Sequence, residues 1–170
     1  MRRLKNIWER FVDSKIIPYV FECSKHPMRF IEFLRANKAF VDGLDPSMTI
    51  PGFRLNILRL YIVYFVLWNM IIIPASLIFH AFLAKLDCHL SIILAIVFTL
   101  IFFATFQIFK EWLINRVAEK QIQKAWQNHL PHFEYKRYRH KLAQLYAEAA
   151  DKDIPKSQIE RFVIDRLVES

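Results

Sequence analysis

Glycine is almost missing from this chain, with Gly43 and Gly52 the two examples in 170 residues. A phosphate-cradling loop needs several glycines so that backbone can close on the ligand, and a nucleophile elbow needs small residues around its serine; the sequence supplies neither. The same scarcity, set against 16 phenylalanines, disfavours turn-rich β folds and biases the chain towards helix. Cysteine is equally scarce, with Cys23 and Cys88 alone, which excludes a disulfide framework and a cysteine-rich zinc site. Charge is lacking over two long stretches: residues 60–84 and 91–109 hold no Asp, Glu, Lys or Arg.

Those two stretches dominate what is there. They run from Leu60 to Ala84 and from Ser91 to Phe109, separated by the six residues Lys85 to Leu90. At about 1.5 Å per residue they reach roughly 37 and 28 Å, against a hydrocarbon core about 30 Å thick. The expectation is an all-α membrane protein: a two-span transmembrane helical hairpin over 54–110, spans about 60–84 and 91–109, with a cytoplasmic helical cap built from both flanks, 1–53 and 111–170. Each flank alone is near the size at which a single core is marginal.

The formal charge is +8, carried by both flanks: ten Lys/Arg against six Asp/Glu in 1–56, and twelve against nine in 110–170. Orientation follows the basic residues close to the membrane. Arg54, Arg59, Lys110 and Arg116 stand at the outer ends of the hairpin, and the connecting loop has Lys85 alone. This places both termini in the cytoplasm and Lys85 to Leu90 outside a cytoplasmic (inner) membrane, with Cys23 and Cys88 on opposite sides. Glu9, Arg10, Asp13 and Lys15 interrupt the apolar run that a secretory signal would need after Met-Arg-Arg-Leu-Lys.

Within the flanks the apolar spacing is helical. Leu4, Ile7, Trp8, Phe11 and Val12 define a basic amphipathic helix that either lies in the membrane interface or packs on the other cytoplasmic helices. Pro18 interrupts it, Pro27 opens a second helix through Phe40, and Gly43 stops that one. The segment Asp42 to Phe53 is a linker. Beyond the second span the stripe thins through Trp112, Ile114, Val117, Ile122 and Trp126 until Pro131 breaks it. Tyr138, Leu142, Leu145, Tyr146 and Ala149 mark the next helix. Ser157-Gln158-Ile159-Glu160 fits a capping box for the last one, or else Pro155 occupies its first turn; its face of Ile159, Phe162, Val163 and Leu167 is a candidate partner-helix surface.

Chemistry-bearing patterns are few. His129, His132 and His140 straddle Pro131 with Glu134 the single close carboxylate, and Cys23/His26 has no second ligand pair, so no metal is expected. Asp151 and Asp153 open like a calcium loop, yet Pro155, Lys156 and Phe162 stand where a third oxygen ligand, the turn glycine and the bidentate glutamate belong. No cofactor and no catalytic set is expected. Within the first span, Asn69, Pro74, Ser76 and His80 call for intramembrane packing against a neighbouring helix.

The run 132–141 joins Lys136, Arg137, Arg139 and Lys141 to three aromatics. With Arg2, Arg3, Lys5 and Arg10 it is a candidate surface for anionic lipid headgroups or an acidic partner. No nucleic-acid fold accompanies it, so nucleic acid is set aside. The functional expectation is a non-enzymatic integral membrane anchor, assembly factor or accessory subunit acting through cytoplasmic helices on another protein or by self-association. The alternatives are an anionic-lipid-binding membrane organiser, and an accessory or pore-forming transport subunit.

Overall fold

The computed structural model describes residues 2–24, 26–83 and 88–169; at 2–5, 47, 80–83, 88 and 89 it describes backbone alone. About 80% of the chain is helical, and two helices are long and apolar enough to span a membrane. In order, the elements are α1 (Arg2–Phe11), a π-helical turn (Val12–Ile16), α2 (Ile17–Val20), β1 (Phe21–Glu22), α3 (Phe30–Val41), a 3₁₀ turn (Pro46–Met48), β2 (Arg54–Leu55), α4 (Ile57–Leu83), α5 (Cys88–His129), α6 (Tyr135–Asp151) and α7 (Lys156–Val168). The loop Lys85 to Leu90 lies largely outside the described residues, as do the side chains of Arg2, Arg3, Lys5 and His80.

The chain divides into two compact units, Met1–Phe21 with Leu55–Leu113, and Glu22–Arg54 with Ile114–Ser170. The short strands β1 and β2 pair where the chain passes from one to the other. The N-terminal flank is thereby shared out: α1 and α2 belong with the long apolar helices, and α3 with the C-terminal helices.

In the first unit, α4 and the apolar part of α5 lie antiparallel along a seam of aromatic rings. Tyr61 stacks on Phe106 at 4.1 Å, Tyr64 meets Phe102 at 5.1 Å, and Trp68 meets Phe98 at 5.5 Å. Ring pairs of this kind favour stacked and edge-to-face packing at such separations. Leu60, Tyr64 and Phe106 are buried, whereas most other apolar side chains of the two helices face outwards. Pro74 sits inside α4 without ending it.

Pro18 does not end the first helix either. It falls in the first turn of α2, directly after the π-helical turn, whose closing bond runs from the Ile17 N–H to the Val12 carbonyl. A proline has no N–H to donate, and its ring crowds the carbonyl four residues back. The extra residue in the preceding turn makes room for it.

The second unit is a cluster of α3, α6, α7 and the end of α5. Along α3 the buried positions Phe30, Phe33, Leu34 and Asn37 keep the i, i+3, i+4, i+7 spacing of one helix face. Phe33 lies edge-on to Trp126 and stacks on His129, at 5.7 and 5.6 Å. Leu142, Leu145 and Ala149 of α6 and Ile159, Val163 and Leu167 of α7 complete the core. At the Pro131 break the Trp126 indole N–H donates to the Phe133 carbonyl at 2.6 Å, which ties the start of the next segment to the end of α5.

The helix starts differ from expectation, whereas Gly43 stops α3 as its position in the sequence suggests. α3 starts at Phe30, three residues after Pro27, where the Glu32 carboxylate accepts the Arg29 N–H at 3.0 Å. It ends with Gly43 at φ +71° and bonds from the Gly43 and Leu44 N–H groups to the carbonyls of Phe40 and Ala39, a Schellman arrangement. α6 ends the same way with Asp153 at φ +51° and the Asp153 and Ile154 N–H groups donating to Ala150 and Ala149. Only Pro155 then precedes α7, so Ser157 lies within the first turn instead of capping it.

Candidate functional site

The outward-facing hollow of the first unit is built from its helix ends. Asn56 caps α4, its side-chain oxygen accepting the Arg59 N–H at 3.1 Å. The Asn56 N–H itself donates to the Val20 carbonyl at 3.0 Å, fixing the end of α2 beside the start of α4. Arg59 strengthens the junction: its guanidinium donates to the Tyr19 carbonyl at 3.2 Å and lies over the Tyr19 ring at 5.4 Å.

From this junction α1 stands off α4 across an apolar hollow of about 710 Å³. One wall is Ile7, Trp8 and Phe11 of α1; the other is Ile62, Val66 and Met70 of α4; Lys15 and Tyr19 are at the edge. Ile7 is 64% exposed and Met70 is 70% exposed. Ile7, Trp8 and Phe11 thus face the same open corner as the apolar flank of α4, while Val12 at the end of that face is fully buried.

Among the described residues the hairpin seam holds one polar connection. The Tyr64 hydroxyl lies 2.9 Å from the Phe102 carbonyl and 2.6 Å from the Thr105 hydroxyl. Of the polar residues singled out from the first span, Asn69 and Ser76 hydrogen-bond within their own helix. The Asn69 amide donates to the Phe65 carbonyl at 2.8 Å, and the Ser76 hydroxyl donates to the Ile73 carbonyl at 2.9 Å. Asn69 and Pro74 line a shallow apolar hollow with Phe65, Val66, Met70 and Ile73.

In the second unit Lys136 and Arg137 are exposed and Arg139 and Lys141 half-buried. Arg137 lies over the Tyr138 ring and Arg139 over the Tyr135 ring, at 5.4 and 5.9 Å. Arg10 is exposed on α1. Ile159, Val163 and Leu167 are buried in the unit's own core, and the half-buried Phe162 has Lys152 and Arg166 near its ring.

Cys23, Ser24, His26, Gln121, Lys124 and Asn128 line a narrow crevice together with Pro27, Met28, Ile50 and Pro51. Burial pushes the Cys23 thiol above its ordinary pKa, and a hydrogen bond with Gln121 opposes the shift. The crevice wall is tight, because a Cβ on Gly52 would come within 3.0 Å of the Ser24 backbone nitrogen. His129 does not join His132 and His140; its Nε2 is 2.8 Å from the Met28 carbonyl, between aromatic rings. Among the described residues no three His, Cys, Asp or Glu converge as a metal site would require.

Sequence reasoning passed over Lys15, Tyr19, Tyr64 and Thr105. Lys15 read as an interruption of an apolar run, although a cation inside an otherwise apolar face is itself a signal. Tyr64 and Thr105 are hydroxyls within uncharged stretches, the same signal that drew attention to Ser76. Comparison with family models, with characterised proteins and with solved structures returned no match.

Proposed function

We propose that this chain is a two-span integral membrane protein in which α4 and the apolar part of α5 cross a cytoplasmic membrane. In this reading α1 lies in the inner interface, and the second unit is a cytoplasmic helical module with no catalytic role of its own. The observation that carries it is the outward exposure of the apolar runs: within each apolar window 6% is buried. Leu77 and Ile78 are 72% and 76% exposed. A core helix of a soluble protein hides such side chains, and contiguous apolar surface on this scale favours a hydrocarbon surrounding. The flanking Arg54, Arg59, Lys110 and Arg116 support the inward orientation of both ends.

The task assigned to such a protein is to hold its helical module at the membrane as an anchor or accessory subunit. The module's apolar faces are filled by its own helices, so the surface it offers a partner is polar, with the α6 cations prominent. Alkaline carbonate extraction and cysteine mapping test the reading. In a chain with Cys23 and Cys88 replaced by serine, Lys85→Cys in intact cells should react with a membrane-impermeant maleimide and Ser157→Cys should react only after lysis. Release by carbonate, or labelling of both positions in intact cells, would overturn it.

A further inference from the structure

We infer that the hollow between α1 and α4 is a binding site for one anionic phospholipid of the leaflet that holds α1. Its acyl portion lies on Ile62, Val66 and Met70 against Trp8 and Phe11, and its phosphate meets Lys15. The inference rests on the membrane reading given above and adds a ligand to it.

Three observations converge on a lipid. The first is depth: from Arg59 to Met70 the axis of α4 advances about 16 Å, close to half of a core about 30 Å thick, so the apolar wall matches one leaflet. The second is charge. Lys15 is exposed and lines the hollow, no carboxylate among the described residues lines it, and Arg59 sets a second cation over Tyr19. Tyr19 is of an aromatic type that favours headgroup level.

The third is size. A hollow of about 710 Å³ falls within the range of ligand pockets, roughly 300 to 1,000 Å³. The corner is open enough for methylene chains.

Native mass spectrometry of the full chain in mild detergent tests this, after incubation with equal amounts of phosphatidylglycerol and phosphatidylcholine carrying the same acyl chains. The expected result is retention of one phosphatidylglycerol in preference to phosphatidylcholine. Lys15→Gln should reduce that preference roughly fivefold, the factor corresponding to about 1 kcal/mol for one cation near anionic lipid, while a lipid is still retained. Ile62→Trp, at an exposed wall position, should remove the retained lipid of either headgroup. Equal retention of the two lipids by the unaltered chain would overturn the site, as would retention unchanged in both variants. A dimer abolished by Ile62→Trp would replace the lipid with a second copy. Carbonate extraction and labelling decide the spanning reading separately, so a chain that spans yet retains no lipid overturns this inference alone.

Discussion

The side chain of Asn37 in α3 reaches 102 residues along the sequence to α6, where its Nδ2 donates to the Arg139 carbonyl at 2.9 Å. It has no exposed surface, and its Oδ1 accepts no hydrogen bond. A polar side chain therefore occupies the last position of the α3 apolar stripe, and it joins two helices whose other contacts are non-directional. Replacement by Asp puts a carboxylate against a carbonyl oxygen with burial on all sides. Asn37→Asp should destabilise the chain by about 3 kcal/mol or more, and the cost should grow as pH rises above the ordinary carboxylate range. Asn37→Leu removes the unbonded oxygen along with the donor, so it should cost less than Asn37→Ala. Chemical denaturation followed by circular dichroism ranks the three.

Asp153 holds a backbone conformation that favours glycine, at φ +51° in the Schellman turn closing α6. Asp153→Gly should stabilise the chain by about 0.5 to 1 kcal/mol, and Asp153→Val, β-branched at positive φ, should destabilise it by more than that. Thermal melts of the variants decide the sign. The same geometry accounts for the calcium-like Asp151-x-Asp153 pattern as a helix stop between α6 and α7.

The Cys23 thiol gives a pH-dependent test. Burial raises its pKa in the folded chain, so the folded state holds this proton more tightly than the unfolded one. The associated stability is fully present below the ordinary thiol value and is lost as pH rises through the raised one. In a Cys88→Ser background, maleimide labelling of Cys23 at neutral pH should be slower than in the denatured chain. Gln121→Leu removes a bond that opposes the shift, and labelling should slow further. The raised phenol of Tyr135 acts in the same direction at higher pH, so Cys23→Ala should abolish only the first part of the alkaline loss.

How far the fold was legible depends on what decides each element. The apolar runs, the break at Pro131 and the faces of α3, α6 and α7 follow from spacing that needs no partner to be recognised. The continuation past Pro18 was hidden because it depends on a π-helical turn, which leaves no periodic mark. The open face of α1 was hidden for another reason: Ile7, Trp8 and Phe11 read alike whether they meet protein or lipid, and only the position of α4 separates the cases. The Arg59–Tyr19 contact joins residues 40 apart, and nothing local announces it.

Lys136, Arg137, Arg139 and Lys141 form no ion pair among the described residues; Lys136 and Arg137 are exposed, whereas Arg139 donates its Nε–H to His140 at 3.2 Å. If the cluster contributes to membrane association, full-length protein reconstituted in neutral vesicles should dock added anionic vesicles less well after Lys136→Gln, Arg137→Gln and Arg139→Gln together. The loss should shrink with rising salt, because exposed charges are screened over about 8 Å at physiological ionic strength. A salt-independent effect would assign the three residues to folding instead.

The Tyr64 hydroxyl tests whether the hairpin is held by its polar connection or by its rings. Tyr64→Phe keeps the ring among Trp68, Phe102, Phe106 and Phe109 and removes only the bonds to α5. Thr105 stays satisfied in that variant because its hydroxyl also donates to the Ile101 carbonyl at 2.6 Å. The cost should be about 0.6 kcal/mol and at most about 1.7 kcal/mol, the average and the maximum for such bonds between membrane helices. Thr105→Val should cost less, since the Tyr64 hydroxyl retains the Phe102 carbonyl. Tyr64→Ala forfeits the ring contacts and should cost about 3 kcal/mol or more. Unfolding in mixed micelles gives the order directly: if Tyr64→Phe and Tyr64→Ala lose the same amount, the seam of rings contributes nothing beyond that hydroxyl.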